Sequence, residues 1–259
     1  MGRALVTGAG KRLGRAMALL LARRGYDVAV HYHGSQTEAE GVVEEIAALG
    51  RAAVAVRADL LDEAQTDVLV GRAADALGGP LTVLINNASI FEYDTIRTAT
   101  RESWDRHMES NLRAPFLLTQ QFAEQAPPHG TDERGEPMAN ALVVNMIDQR
   151  VNKLTPEFMT YTLAKMGLWA FTRTAAQALA PDVRVNGIGP GPTLRGARQS
   201  HTHFKAQRAA TILRRGADEE EVTAALDYLL SARSVTGQMI CVDGGQHLGW
   251  QTPDVVGPE

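Results

Sequence analysis

Short runs of Val, Ile, Leu and Ala alternate along the chain with longer stretches in which apolar residues recur at helical spacing. The runs at 4–7, 28–32, 53–56, 81–85, 141–146, 183–188 and 238–242 predict strands. Several are almost continuously apolar, as a strand must be when both its faces are covered. Helices are expected over 14–24, 38–49, 62–77, 101–125, 156–179 and 218–230. Strand-helix alternation of this kind calls for parallel βαβ units, and so for an α/β, doubly wound, Rossmann-type sheet of about seven strands with helices on both faces. No linker, repeat or shift of composition divides the chain, so one domain over residues 1–259 is expected. The polar, Pro/Gly-rich stretch 127–137 is read as an exposed excursion between a helix and the next strand.

Composition narrows the class of function. Apolar residues make up 44% and charged residues 22% of the 259, with a formal net charge of -4. That balance, with no long cationic run, argues against nucleic-acid or membrane-surface binding. The single Cys241 permits no intrachain disulfide and no multi-cysteine metal site; its strand context reads as a small core residue, and no metal is expected. No signal-peptide pattern opens the sequence and no apolar run has membrane-spanning length, so a cytoplasmic protein is the simplest expectation.

The first strand runs through Thr7-Gly8-Ala9-Gly10-Lys11-Arg12-Leu13-Gly14 straight into a helix. Glycines at such a turn let backbone N–H groups approach a pyrophosphate at the positive helix end. An NAD site places a carboxylate after the second strand, on the ribose 2′-hydroxyl. Here that strand ends His31-Tyr32-His33-Gly34-Ser35 without one. Lys11 and Arg12 are placed to meet a 2′-phosphate, with Ser35 as a further donor, so NADP(H) is expected over NAD(H). The two histidines either join that site or mark an exposed strand end. Asp59-Leu60, after the third strand, offers a carboxylate to the adenine amino group. Asn87-Ala88-Ser89 follows the fourth strand, at the carboxyl edge where open α/β sheets bind ligands. Pro190-Gly191 and Thr193 follow the sixth, with a hydroxyl and backbone for a carboxamide.

Tyr161 and Lys165 lie four residues apart on one predicted helix face, where an ammonium beneath the phenol lowers its pKa from about 10. A phenol tuned in that way suits proton transfer beside hydride transfer. Asn111 sits within an apolar helix pattern, where an amide needs a partner such as a water or a carbonyl. Asp148 ends the fifth strand, either as an acceptor for a substrate bearing N–H groups or as a cap of the following turn. Phe91 is either plain packing or a wall for a flat ring. Residues 194–208, rich in Arg, His and Gln, are read as a mobile flap over the substrate or as a solvated helix face.

These motifs together resemble the short-chain dehydrogenase/reductases: the Thr7-Gly8 loop, Asp59, Asn86-Asn87-Ala88, Asn111, Tyr161 and Lys165, Pro190-Gly191 and the terminal Asp243-Gly244-Gly245. The resemblance implies a nicotinamide cofactor and a tetrad of Asn111, a Ser, Tyr161 and Lys165, with Lys165 also bonding the nicotinamide ribose. Two departures stand out. Arg12 replaces the usual middle glycine, and Asp148 replaces the usual Ser. Both are similar to the pteridine reductases, which reduce pterins and folates with NADPH. In that branch the residue matching Phe91 stacks the pterin against the nicotinamide, and those matching Ser89 and Arg12 touch both cofactor and substrate. A pterin- or folate-like substrate and a homodimer or homotetramer follow from that resemblance. The alternatives are a reductase of another carbonyl or imine compound, and a non-catalytic NADP(H)-binding sensor.

Overall fold

The computed structural model describes residues 2–196 and 199–251. The elements run β1 (Arg3–Val6), α1 (Arg12–Arg23), β2 (Asp27–Tyr32), α2 (Gln36–Ala48), β3 (Ala53–Arg57), α3 (Glu63–Asp67), α4 (Leu69–Ala76) and β4 (Val83–Asn86). After these come α5 (Arg101–Met108), a π-helical turn (Glu109–Arg113), α6 (Ala114–Gln125), a small hairpin of β5 (Gly130–Thr131) and β6 (Pro137–Met138), and β7 (Ala141–Met146). The chain closes with α7 (Met159–Ala178), β8 (Val183–Pro190), α8 (His201–Ala209), α9 (Glu219–Ser231) and β9 (Met239–Val242).

Seven strands pair in parallel in the order β3-β2-β1-β4-β7-β8-β9. Successive side chains of a strand face opposite ways, and β1 shows the consequence. Ala4 and Val6 enter a core with Met17 and Leu21 of α1, Ile46 of α2 and Leu226 of α9. Leu5 enters the opposite core with Leu69 of α4, Phe122 of α6 and Ala176 of α7. The expected doubly wound sheet, apolar on both faces, is the observed one. Its order reverses at β1 and β4, and the carboxyl ends of those strands carry the Thr7 and Asn86 segments.

Two predicted helices are interrupted. The 62–77 stretch breaks at the exposed Val68 into α3 and α4. The 101–125 stretch widens into the π turn, where the Ala114 N–H reaches the Glu109 carbonyl. Pro115 has no N–H for the carbonyl of Asn111, so an unbroken α-helix could not close there. The 127–137 excursion is ordered as the hairpin, its turn held by Asp132 accepting from the Arg134 and Glu136 backbone N–H groups. In the flap region, Ser200 caps α8, which takes up nearly all of 201–208; Ala197 and Arg198 lie outside the described residues, as does the tail beyond Gln251.

Candidate active site and cofactor cleft

Thr7 joins the ends of β1 and β4: its hydroxyl accepts from the N–H groups of Asn87 (2.8 Å) and Ala88 (3.0 Å). The Asn87 amide donates back to the carbonyls of Thr7 and Gly8. Gly8 has φ 62°, and a Cβ there would stand 3.1 Å from the Ala88 Cα. A Cβ on Gly14 would stand 2.2 Å from the Gly8 carbonyl oxygen. The glycines thus bring loop, helix and β4 end into close approach. At the start of α1 no side chain caps the backbone and no acidic residue stands in the first turn, which leaves a positive helix end suited to an anionic group. The residues present therefore fit a dinucleotide pyrophosphate.

Beside that loop lies a cleft of about 270 Å³, lined by Gly8, His33, Asp59, Leu60, Ala88 and Arg106 among others. Asp59 accepts from the Leu61 N–H and faces the His33 ring at 3.7 Å. Lys11 pairs with Glu38 at 2.5 Å on the exposed rim. Ser35 precedes α2 with its hydroxyl beside Gly10.

Of the two histidines, His33 is exposed at the strand end, whereas the side chains of His31 and of Tyr32 turn inward and are not offered to a phosphate. Tyr32 packs into the α1 core. His31 is buried, with Nδ1 accepting from the Gly8 N–H at 3.0 Å and Nε2 donating to the Ala58 carbonyl at 3.1 Å. Burial pushes its pKa down to about 4, so the ring is a neutral pin beneath the glycine loop. The all-apolar face of β2 was legible in sequence, but the burial of its polar end was not.

Arg12 adopts φ 53°, a left-handed conformation unusual for any residue but glycine. Its guanidinium donates to the carbonyls of Arg195 (3.0 Å) and Leu194 (3.2 Å). The glycine loop and the flap after β8 are thereby joined. Arg208 of α8 anchors the flap's far side on the Pro192 and Ala217 carbonyls. Thr193 is buried beside Gly191, whose carbonyl its hydroxyl bonds at 3.2 Å. Pro190 ends β8 next to this turn, and Leu13 packs at the edge of the α1 core.

The tuned residues meet at the carboxyl end of β7. Asp148 accepts from the Arg150 N–H on Oδ1 and from the Tyr161 hydroxyl on Oδ2 at 2.9 Å. The carboxylate caps the short 3-10 turn Gln149–Asn152, as one reading of the sequence expected, and also engages the phenol. Lys165 Nζ donates to the Met146 carbonyl at 2.7 Å and lies 5.7 Å from the centre of the Tyr161 ring. Asn111, at the middle of the π turn, embraces the Ile90 backbone, accepting from its N–H and donating to its carbonyl, each at 2.8 Å.

Burial, then the Asp148 charge and hydrogen bond, raise the Tyr161 pKa well above its ordinary value. Burial also raises that of Asp148 and lowers that of Lys165 to about 8. Lys165 gives its hydrogen bond to the Met146 carbonyl and not to the phenol oxygen. The nearest charge on that oxygen is a carboxylate, and Tyr161 is a neutral hydroxyl donor.

Phe91 stacks on Phe158 at 4.3 Å between ring centroids and meets Tyr161 edge-on at 4.7 Å. Ser89 is exposed beside them. Four residues of this region escaped the sequence reading: Asp94, His107, Phe158 and Thr160. The signal was present for His107, a polar residue one helical turn before Asn111; the others carried none.

The family described as enoyl-(acyl carrier protein) reductase matches residues 8–247. The 3-oxoacyl-[acyl-carrier-protein] reductase FabG of Staphylococcus aureus is 32% identical over 251 residues, covering 95% of this chain and 98% of its own. The FolM alternative dihydrofolate reductase 1 of Brucella canis, complexed with NADP, superposes with a TM-score of 0.90 at 42% identity, covering 98% of this chain and 97% of its own. A short-chain dehydrogenase of Burkholderia cenocepacia, also in complex with NADP, gives 0.85 at 30%, covering 95% and 97%. The chain belongs to the short-chain dehydrogenase/reductase family. Within it, this protein is an NADP(H)-dependent reductase of a small-molecule substrate, similar in structure to FolM. No helix among the described residues is long and apolar enough to cross a membrane, and no cluster of potential metal ligands occurs among them.

Proposed function

We propose that this reductase is a pteridine reductase, acting on a dihydropterin, biopterin or dihydrofolate with NADPH. The observation that carries the reading is Asp148, which stands in the place of a hydroxyl donor and holds the Tyr161 phenol at 2.9 Å. A carbonyl reductase needs neutral donors at the developing oxyanion, whereas a carboxylate accepts hydrogen bonds and repels such charge. A pterin presents amino and ring N–H groups that a carboxylate accepts. The similarity to FolM, an alternative dihydrofolate reductase, at 42% identity supports the same reading.

In this reading the uncapped start of α1, with Thr7, Gly8, Leu13, Asn87 and Ala88, holds the pyrophosphate end of the cofactor. Lys11, His33 and Ser35 hold the 2′-phosphate, whereas the Arg12 guanidinium is turned to the flap carbonyls; Asp59 and Leu60 hold the adenine. Lys165 bonds the ribose, while Pro190, Gly191 and Thr193 hold the carboxamide. The bound cofactor supplies a hydride. Tyr161 Oη, kept protonated by burial, gives its proton to the substrate ring nitrogen, directly or through water. Asp148 orients that hydroxyl and the substrate amino group, and Asn111 holds the Ile90 backbone at the cleft wall. Phe91 stacks the flat ring, with Ser89 and Arg12 at its polar edge.

The chain works as one cytoplasmic domain in a homodimer or homotetramer. Exposed Trp104, Phe116, Leu163 and Met166 on α5, α6 and α7 supply the apolar face that such an assembly covers.

The test is NADPH oxidation, followed by absorbance, with dihydrobiopterin, dihydrofolate and a panel of ketones and quinones. Saturable pterin turnover inhibited by methotrexate is expected. Activity confined to ketones or quinones would assign the protein to carbonyl reduction instead.

A further inference from the structure

The segment from Ile90 to Asp94 has no regular secondary structure, yet its alternate residues are each fastened from behind. Ile90 is held through both backbone groups by Asn111. The Glu92 N–H donates to His107 Nε2 at 3.1 Å. Asp94 accepts from the Thr160 N–H (3.1 Å) and hydroxyl (2.5 Å) and from the Ser103 hydroxyl (3.1 Å), and its carbonyl accepts from the Phe158 N–H at 2.8 Å. His107 Nδ1 lies 2.7 Å from the Thr160 hydroxyl. The outward residues between the pins are Phe91 and Tyr93, 47% and 54% exposed, and both rings meet Phe158: Phe91 stacked, Tyr93 edge-on at 5.2 Å.

The hydrogen bonds fix the polarity of the chain behind them. Because Nε2 accepts from a backbone N–H, the ring proton stands on Nδ1 and is donated to Thr160, whose own hydroxyl is donated to Asp94. Asp94, Thr160 and His107 are almost wholly buried, at 2%, 1% and 0% exposure, so water cannot replace any of these partners at little cost. Mere packing of α5 against α7 would be served by apolar side chains. A directed chain ending on the Glu92 N–H serves to fix a backbone. The fixed backbone carries Phe91, whose edge lies against Tyr161.

We propose that His107, oriented by Thr160 and Asp94, is a positioning residue for substrate capture: it locks the Glu92 backbone and thereby aims Phe91 and Tyr93 at the ring of the substrate. It bonds none of the reacting atoms, although its ring meets that of Tyr161 edge-on at 5.9 Å between centroids. The proposal rests on the pteridine reading only for the identity of the ring, since the lock belongs to the segment whatever substrate lies against it.

His107→Leu, His107→Gln, Thr160→Val and Thr160→Ser test it by two measurements. Hydrogen exchange in the NADPH-bound protein reads the lock without substrate. The Glu92 amide is expected to exchange faster in H107L, and to be protected again in H107Q, whose amide oxygen can accept in place of Nε2. Steady-state kinetics read the consequence. H107L is expected to raise KM by roughly tenfold, the equivalent of about 1.4 kcal/mol, with NADPH affinity unchanged. H107Q recovers most of it. If H107L does not fold, T160V decides: KM rises in the same direction, and T160S restores it. Unchanged exchange at Glu92, or a KM loss equal in both members of a pair, would overturn the proposal. Should the wild type reduce a ketone and no pterin, the pteridine reading fails alone, and the same pairs are read on that ketone.

Discussion

Asp148 and Tyr161 form one hydrogen-bonded unit, and their substitutions separate orientation from chemistry. Tyr161→Phe removes the hydroxyl that donates to Asp148 Oδ2 while keeping the ring against Phe91. Turnover should fall by about two to four orders of magnitude, the usual worth of a positioned general acid. NADPH affinity, measured by fluorescence titration, should change little; comparable turnover would remove Tyr161 from the proton path. Asp148→Ser trades an acceptor for a hydroxyl donor. Pterin reduction should drop more than ketone reduction, and an equal drop in both would leave Asp148 with its turn-capping role alone. The spacing of Tyr161 and Lys165 correctly puts both on one side of α7. It does not reveal that Asp148 would reach the phenol oxygen while Lys165 bonds the Met146 carbonyl. Charge at a phenol depends on which group reaches its oxygen.

At the scale of elements, the strand-to-helix turn from β1 to α1 couples backbone shape to ligand affinity. Gly14→Ala would force a Cβ to within 2.2 Å of the Gly8 carbonyl and 2.7 Å of the Asn87 amide nitrogen. The helix must then back away from the loop, at a cost of about 1–3 kcal/mol of stability as for other overpacked sites. NADPH affinity should weaken by more than the fold weakens; isothermal titration with the folded variant would show at least a tenfold loss, and wild-type affinity would refute this role for the close approach. Periodicity located almost every element, because apolar spacing records which face is buried. It passed over the π turn, since only Pro115 marked it, and the break at Val68, where the apolar pattern runs on. The hairpin in 127–137 lacks an apolar signature because its two short strands lie at the surface.

Across the whole molecule, the buried imidazole of His31 links folding to pH. Its pKa in the fold lies near 4, below the ordinary 6.5, so between those values the unfolded chain binds a proton that the native one refuses. The stabilising contribution is complete above about pH 6.5 and is lost as pH falls toward 4, a change on the order of 3 kcal/mol at full extent. Urea unfolding at pH 7 and pH 4.5 should show a larger loss for wild type than for His31→Gln. Parallel losses would mean that other groups govern the acid limb.

What the amino-acid sequence determined by itself was the class of fold, the parallel sheet and the stations of the site along it. Apolar periodicity, turn glycines and the order of polar residues at strand ends are local records of burial and backbone shape. Tertiary structure alone decided which partner each polar group found. It turned His31 inward onto the Gly8 amide, put Asp148 on the Tyr161 hydroxyl, tied Arg12 to the flap, and built the Asp94–Thr160–His107 chain behind Phe91. Hydrogen-bond partners lie tens of residues apart in the chain, and their choice follows from packing of the two helical layers on the sheet, which no local pattern encodes.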